Sequence, residues 1–175
     1  MIVYFNGEYL SKDVVRISPD DRGFLFGDGV YEVTPCYGGR FLALERHLAR
    51  LGHGLAELRI EGIAAESLAP VHDELIRRNE LTGAWAIVYV QISRGAAKRA
   101  HAFPNPAVPP TVYAFASKVV PKFDPAVGAR IITVADIRWS RCDLKTTSLL
   151  PNCLANQQAQ EAGAFEAIFV RDGIA

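Results

Sequence analysis

The sequence has no excess of charge of either sign, no long apolar run and no recognisable leader. Its 19 lysine and arginine residues balance 19 aspartate and glutamate residues, so net charge gives no argument for a nucleic acid or an anionic membrane as partner. No apolar stretch approaches the roughly 20 residues that a membrane-spanning helix needs. The opening residues, MIVYFNGEYL, lack the basic region and the small-residue cleavage site of a signal peptide. We therefore expect neither a nucleic-acid partner nor a membrane partner.

The sequence is also poor in patterns for metal binding, disulfides or hydrolysis. Its three cysteines are odd in number and widely spaced, which predicts small buried side chains in a reducing cytoplasm rather than a disulfide framework. The four histidines show no metal-ligand spacing, so no metal is expected. GxSxG and HExxH are absent, and the GDG and RGF segments are too short for a phosphate-binding loop. The cysteines are Cys36, Cys142 and Cys153.

Strand-like segments separated by turn residues are abundant. IVYFNGEYL predicts two short strands around Asn6-Gly7, a dipeptide that suits a type I′ turn. A glycine-spaced loop, a strand from Val30 and a hairpin at the following GG pair come next. WAIVYVQISRG and TVYAFASKVV are β-branched and aromatic, which predicts two further strands. Between them, GAAKRAHAFPNPAVPP predicts a long loop, a kind of segment that often carries function.

Helical patterns cover residues 43–59, 65–79 and 149–162. The first contains five leucines at steps of four and three, which predicts one apolar stripe. Gly52 and Gly54 lower the helix propensity there and leave open a break. The inward-facing side chains expected in the second helix are Leu68, His72, Leu75 and Ile76.

The second half of the chain begins with a proline-containing segment, VVPKFDPAVG, which predicts a linker. ARIITVADIRW and FEAIFVRDG then predict strands on either side of the third helix. Asp172-Gly173 indicates a hairpin turn, yet the sequence stops at Ala175 without a returning strand. We therefore expect the chain to be a piece of a longer protein.

Lys145 has an unusual setting, between a predicted strand and the predicted third helix. Small polar residues follow it, and the next carboxylate is Glu161. The partial positive charge of a helix N-terminus, together with burial, would favour the neutral amine. A neutral amine is what a Schiff-base lysine needs. The alternative from the residues alone is a solvated surface lysine.

Basic residues crowd the loop segment RGAAKRAHAFP, namely Arg94, Lys98, Arg99 and His101. In an extended segment, Arg99 and His101 point to the same side. Two such donors suit a carboxylate, which accepts paired N–H bonds from arginine. An ordinary solvated basic loop is the alternative.

Arg50 and Tyr31 are the remaining candidates. Arg50 follows His47 by three residues and shares a helix face with it, which suits phosphate binding or an ordinary solvated face. Tyr31 ends the glycine-rich run FGDGVYE, where an aromatic side chain is usually part of the core.

The sequence resembles the fold type IV pyridoxal-phosphate-dependent aminotransferases, above all the D-amino-acid aminotransferases. The resemblance rests on the order and spacing of four motifs, DRGFLFGDGVYE, ERHLARL, RGAAKRAHAFP and DIRWSRCDLKTTSLL. The likeness runs over nearly the whole chain. It implies an α/β (α+β) fold of two domains. Residues 1–120 would form a small domain, and residues 121–175 would begin a larger cofactor-binding domain. Members of the family continue beyond Ala175, where the acid that pairs with the pyridine nitrogen would follow.

The resemblance also implies a role for each candidate. Lys145 would form a Schiff base with pyridoxal 5′-phosphate and move the proton, and Arg50 would hold the cofactor phosphate. Tyr31, Arg99 and His101 would bind the substrate carboxylate. In this family the last two reach the site from the neighbouring subunit, which implies a homodimer with its active site at the subunit interface.

The expected reaction is transamination between a D-amino acid and a 2-oxo acid. The RxH pair formed by Arg99 and His101 separates the D-amino-acid enzymes from two rivals that share the lysine. These rivals are the branched-chain L-amino-acid aminotransferases and aminodeoxychorismate lyase. A truncated fragment without catalytic activity is the alternative outside enzymes.

Overall fold

A computed structural model describes residues 1–121 and 124–175, which form two compact units. The first contains Met1–Val119 and Leu144–Ser148, and the second contains Val120–Asp143 and Leu149–Ala175. The predicted linker includes residues 122 and 123, which lie outside the described residues. Strands and helices occur in both units, which confirms the mixed α/β (α+β) class.

The first unit is built on an antiparallel six-stranded sheet of order β2-β1-β6-β5-β3-β4. Its strands are β1 (Ile2–Phe5), β2 (Glu8–Ser11), β3 (Gly29–Tyr37), β4 (Arg40–Phe41), β5 (Trp85–Ser93) and β6 (Thr111–Lys118). The predicted tight turn between β1 and β2 is confirmed, since Asn6 and Gly7 have φ values of 47° and 98°. The predicted loop between β5 and β6 is irregular, as expected.

A short helix, α1 (Arg22–Phe26), interrupts the segment that the glycine spacing predicts to be a loop. The Asp21 side chain accepts a hydrogen bond from the Gly23 N–H and caps its start. Gly27 ends it with a left-handed φ of 67°. Five residues are too few for a periodic apolar pattern, so the sequence does not reveal this helix.

Two helices cover one face of the sheet, α2 (Leu44–Glu57) and α3 (Ala69–Arg78), the latter directly after a 3₁₀ turn (Ala65–Leu68). The break left open at the two glycines does not occur, because α2 is continuous. A side-chain carbon on Gly54 would lie 2.9 Å from Val30 Cγ1, so this glycine permits close packing of α2 on β3. The inward-facing residues predicted for the second helix are buried.

Alternation along β3 assigns its side chains to two faces of the sheet. Val30, Glu32 and Thr34 are buried on the face covered by α2 and α3. Tyr31 and Val33 are half-buried on the opposite face. This alternation places Tyr31 on the face that carries the candidate site.

The second unit contains a parallel pair of strands connected through a helix. Strand β7 (Ile131–Ala135) pairs with β8 (Glu166–Val170), and α4 (Leu150–Glu161) lies between them in the chain. The turn predicted at Asp172-Gly173 is present, since Arg171 and Ile174 exchange two backbone hydrogen bonds of 2.9 Å.

The cysteine prediction is right for one residue and wrong for two. Cys36 is buried, whereas Cys142 and Cys153 are exposed, and all three are free thiols. No helix in the described part of the chain is long and apolar enough to cross a membrane. Residues 1–121 and 124–175 contain no group of three or more histidine, cysteine or acidic residues suited to a metal ion.

Candidate active site

Lys145 lies beside Tyr31 because its chain segment is hydrogen bonded to the start of β3. The Tyr31 N–H donates to the Lys145 carbonyl at 3.0 Å, and the Thr147 N–H donates to the Gly29 carbonyl at 3.0 Å. The Thr147 hydroxyl donates to the Gly27 carbonyl at 2.9 Å. The Lys145 amino group then lies 4.1 Å from the centroid of the Tyr31 ring.

Gly27 is required where this segment approaches the end of α1. Its φ of 67° is one that other residues rarely adopt. A side-chain carbon at this position would also lie 2.8 Å from Ser148 Oγ. The glycine therefore both ends α1 and leaves room for the segment that carries Lys145.

The structure gives Lys145 an aromatic neighbour that the sequence does not reveal. Helix α4 begins at Leu150, one residue after the predicted start, so Lys145 precedes it by five positions in the chain. The contact of the amino group is with an aromatic face, an attraction that is weak at exposed sites. In the part of the chain that the structure describes, no ion pair joins Lys145 to a carboxylate.

Aromatic side chains extend the surface on which Lys145 lies. The rings of Tyr31 and Tyr89 are stacked with centroids 5.6 Å apart, and Tyr89 stacks on Phe115 at 5.1 Å. Burial and the neighbouring tyrosines raise the pKa of Tyr89 to about 12. Its hydroxyl therefore stays protonated at neutral pH and donates to Gln91 Oε1 at 2.7 Å. The result is an uncharged aromatic face next to one amine.

Arg50 lies on α2 and binds the buried carboxylate of Glu32. Its Nε and Nη2 donate to the two Glu32 oxygens, the second bond being 2.9 Å long. His47 Nδ1 lies 2.8 Å from the same carboxylate. The Glu32 side chain is 2% exposed and that of Arg50 is 49% exposed. A fixed guanidinium therefore keeps N–H donors available for an anion.

The electrostatics of this cluster keep Arg50 and Glu32 charged. Burial alone would raise the pKa of Glu32, but hydrogen bonds from Arg50 and His47 outweigh burial and lower this pKa. The same hydrogen bond raises the pKa of Arg50, to which Tyr31 also contributes. Tyr31 contacts Lys145 through its ring, and its neighbour Glu32 on β3 holds Arg50, so adjacent residues of one strand connect to both candidates.

Arg99 and His101 lie elsewhere, on the exposed loop between β5 and β6. Both contact Phe26 at the end of α1. The Arg99 guanidinium carbon is 5.3 Å from the Phe26 ring centroid, and the His101 and Phe26 centroids are 5.8 Å apart. Among the described residues, no hydrogen bond, ion pair or ring contact joins Arg99 or His101 to Tyr31, Arg50 or Lys145.

Arg94 is expected from the sequence among the exposed donors of this loop, and that expectation is wrong. Its side chain is 7% exposed and donates to both oxygens of Asp28, at 2.8 and 2.9 Å. Arg22 donates to the same carboxylate at 2.7 Å. Burial would raise the pKa of Asp28, but the hydrogen bonds from Arg94 and Arg22 lower it. Arg22, Asp28 and Arg94 therefore form a buried ion-pair cluster, and Arg94 is not an exposed donor.

Sequence reasoning missed three residues that organise the site. From the sequence, Glu32 is only the neighbour of Tyr31, and Asp28 and Phe26 are parts of a glycine-spaced loop. One signal was available for Glu32. A carboxylate at an inward position of a strand is rare unless it is paired, and Arg50 and His47 lie on the helix that follows β3.

The arrangement offers an amine, an aromatic face and a charged guanidinium within one compact unit. An unprotonated amine attacks aldehydes, an aromatic face stacks on planar rings, and guanidinium binds phosphate. These three groups fit a phosphorylated aromatic aldehyde such as pyridoxal phosphate.

Comparison with known proteins also points to an enzyme family that uses pyridoxal phosphate. The model of one protein family, amino-transferase class IV, matches residues 29–173. The chain is 38% identical over 168 residues to the D-alanine aminotransferase of Staphylococcus haemolyticus, across 95% of this chain and 59% of that enzyme. It is 39% identical over 176 residues to the D-alanine aminotransferase of Bacillus licheniformis, across 99% of this chain and 61% of that enzyme.

Solved structures share the fold. The branched-chain amino acid aminotransferase of Escherichia coli superposes with a TM-score of 0.84, over 98% of this chain and 60% of that one, at 18% sequence identity. The chain spans about three fifths of the length of the relatives it matches. The resemblance carried by the four motifs is confirmed by the family match. The chain belongs to the class IV aminotransferases.

Proposed function

We propose that the protein containing this chain is a pyridoxal-phosphate-dependent aminotransferase that exchanges the amino group between a D-amino acid and a 2-oxo acid. Membership of the family supports the reaction class. The likeness to two D-alanine aminotransferases, at 38% and 39% identity, supports the D-amino acid. The observation that carries the proposal is the position of the Lys145 amine on the Tyr31 ring, at the strand whose next residue, Glu32, holds Arg50.

Lys145 and Arg50 are the residues that would hold the cofactor. When bound, pyridoxal phosphate supplies an electron sink for the negative charge that develops at the amino-acid Cα. Lys145 Nζ would be the group that holds the cofactor covalently, and as the free amine, once it has been displaced from the cofactor, it would accept the proton that leaves this carbon. Arg50 binds the phosphate through the N–H donors that Glu32 leaves available. The hydrogen bonds of Tyr31 and Thr147 fix the backbone at the Lys145 carbonyl and two residues after it.

Substrate binding would involve Tyr31, Arg99 and His101. Tyr31 is adjacent to the Lys145 amine, whereas Arg99 and His101 lie against Phe26. Their separation in the described residues supports the proposal that a second copy of the chain supplies them, so that a homodimer forms the site. The Arg99 guanidinium and the His101 imidazole then bind the substrate carboxylate.

The domain division and the cellular location are also proposals. Residues 1–120 would form the small domain, and residues 121–175 would begin the larger cofactor-binding domain. The free cysteines favour a reducing compartment, the cytoplasm.

A branched-chain L-amino-acid aminotransferase is the second candidate, because such an enzyme has the same fold with a TM-score of 0.84. Aminodeoxychorismate lyase and an inactive fragment stay as the remaining alternatives. The test uses the full-length holoenzyme with D-alanine, L-leucine and aminodeoxychorismate as amino substrates. Turnover of D-alanine at a kcat/KM at least tenfold above that of L-leucine supports the proposal. Preference for L-leucine or for the lyase substrate contradicts it, and so does a protein that turns over none of the three.

A further inference from the structure

Arg22 contacts the loop that carries Arg99 and His101 through the backbone of that loop. Its Nη1 donates to the Ala100 carbonyl at 2.6 Å and to the Ala102 carbonyl at 3.3 Å. Its Nη2 donates to the His101 carbonyl at 3.3 Å. One guanidinium thus binds the carbonyl groups of three consecutive residues, Ala100, His101 and Ala102.

The guanidinium of Arg22 is itself held in place. Its side chain is 4% exposed, and its Nε donates to Asp28 Oδ2 at 2.7 Å. The Arg22 backbone N–H donates to the Gly95 carbonyl at 2.9 Å, where the same loop begins. Asp28 is fixed in turn by two hydrogen bonds from Arg94. Hydrogen bonds that involve a charged group are the strong ones, so the loop is bound to a rigid and buried support.

Phe26 adds a contact to the side chains. The Arg22 guanidinium carbon lies 4.8 Å from the Phe26 ring centroid, and Arg99 and His101 contact the same ring. Arg22 and Phe26 are on the same short helix. Helix α1 therefore contacts both the backbone and the side chains of the Arg99–His101 segment.

The buried cluster of Arg22, Asp28 and Arg94 has a net positive charge that needs hydrogen-bond acceptors. Arg22 and Arg94 share the single carboxylate of Asp28, so the cluster carries one positive charge in excess. The carbonyl groups of the loop and of residues 58 and 59 compensate for this excess, since Arg94 donates to the latter two at 2.7 and 2.9 Å. Withdrawal of the loop would leave Arg22 without these acceptors, which costs free energy. Burial of the charge thus holds the loop in one place.

We propose that Arg22 is the positioning residue of the substrate-carboxylate site, which orients Arg99 and His101 by binding the carbonyls of residues 100–102. The proposal rests on the proposed function, in which Arg99 and His101 bind the carboxylate. Arg22 does not touch the substrate. It acts by limiting the positions that the two donors can take, and pre-organised donors bind more tightly than mobile ones.

The test is Arg22→Lys in the full-length holoenzyme, since lysine keeps the charge but loses the planar fork that spans three carbonyls. We expect the KM for D-alanine to rise about tenfold, the scale set by the loss of one strong hydrogen bond. We expect kcat to change less than KM and the absorbance of the bound cofactor to stay the same. Hydrogen exchange of the amides of residues 98–103 should become faster.

Arg94→Lys is the comparison variant. Arg94 is similarly buried, binds the same carboxylate and contacts the loop at the Phe103 ring, whose centroid lies 3.6 Å from its guanidinium carbon, but it does not bind the carbonyls of residues 100–102. A merely structural role predicts that both variants change stability and KM alike. The proposal predicts a larger rise of KM in Arg22→Lys than in Arg94→Lys. If that variant does not fold, Phe26→Leu removes the shared ring contact without changing the charge, and the same rise of KM is expected.

A double-mutant cycle with Arg99→Ala distinguishes the role of Arg99 in binding the carboxylate from the role of Arg22 in positioning Arg99. If Arg22 acts through Arg99, Arg22→Lys has little further effect on the KM of Arg99→Ala. An unchanged KM in Arg99→Ala alone overturns the role of Arg99 and thus the proposed carboxylate site. A raised KM in Arg99→Ala, with a normal KM and normal exchange in Arg22→Lys, overturns only the positioning role of Arg22.

Discussion

The amino group of Lys145 lies 4.1 Å from the centre of the Tyr31 ring, although the two residues are 114 positions apart in the sequence. Backbone hydrogen bonds between the Lys145 segment and β3 produce this contact. The position of the amine therefore depends on how the strand and this segment pair, and this pairing can be tested by substitution.

Thr147 anchors the Lys145 segment through its hydroxyl, which donates to the Gly27 carbonyl at 2.9 Å. We expect Thr147→Val to lower the free energy of unfolding by about 1 kcal/mol, because the Gly27 carbonyl loses this donor and keeps only others such as the Gly29 N–H, while the shape of the side chain is kept. Thr147→Ser retains the hydroxyl and should stay closer to the unsubstituted protein. Urea denaturation of the three proteins measures the difference, and equal midpoints for the valine and serine variants would contradict the anchoring role.

The two glycines of α2 should respond to alanine in opposite directions. Gly52→Ala should stabilise the protein by up to about 1 kcal/mol, since alanine favours helix and its Cβ would make ordinary contacts, 3.6 Å from Ala65 Cβ and 3.9 Å from Glu66 Oε1. Gly54→Ala should destabilise it by about 1–3 kcal/mol, because its Cβ would lie 2.9 Å from Val30 Cγ1.

The double variant Gly54→Ala/Val30→Ala provides the control for this clash. Removal of the Val30 methyl groups should recover part of the loss caused by Gly54→Ala, as thermal unfolding midpoints will show. Stabilisation by Gly54→Ala alone would mean that α2 and β3 are not packed as closely as described.

Arg50 should govern affinity for the cofactor. Arg50→Ala is expected to weaken binding of pyridoxal phosphate about tenfold or more, the scale of one charge-assisted hydrogen bond to phosphate. Arg46→Ala is the matched control, an exposed arginine one helical turn earlier on α2. Dissociation constants from absorbance titration of the full-length apoprotein give the comparison. Equal constants for the two variants would remove Arg50 from the phosphate site.

Glu32 should make stability depend on pH in a defined direction. Its pKa in the folded protein is lower than its ordinary value of 4.5, so the contribution is fully present above pH 4.5 and is lost as pH falls through the folded value. We expect Glu32→Gln to cost about 2 kcal/mol at pH 7.

The comparison of stability with pH tests this assignment. The difference between the unsubstituted protein and Glu32→Gln should shrink as pH falls below 4.5, measured by urea unfolding at several pH values. A difference that stays constant down to low pH would show that Glu32 is not the titrating group.

Much of the fold follows from local patterns, whereas the contacts of the site do not. The leucine spacing of α2 and the Asn6-Gly7 turn are periodic or conformational signals, and the structure contains both elements. Lys145 stands out by its neighbours in the chain, and the helix predicted to follow it begins at Leu150, one residue from the predicted start. Its contact with Tyr31 depends on a pairing between distant segments, which no local pattern encodes.

The burial of Arg94 also depends on partners that are distant in the sequence. Arg94 lies among basic residues and looks like one more exposed donor, yet it is buried because Asp28 and two carbonyls compensate for its charge. Burial of an arginine depends on acceptors that come from other parts of the chain. Composition alone therefore assigns Arg94 and Arg99 to one class, and only the fold separates them.

Borohydride reduction of the full-length holoenzyme, followed by peptide mass analysis, identifies the amine to which the cofactor is bound. We expect the cofactor to become fixed to the peptide that contains Lys145, and we expect Lys145→Ala to show no such mass and no turnover. An unmodified Lys145 peptide, in an enzyme that still binds the cofactor and turns over D-alanine, would rule out Lys145 as the Schiff-base lysine.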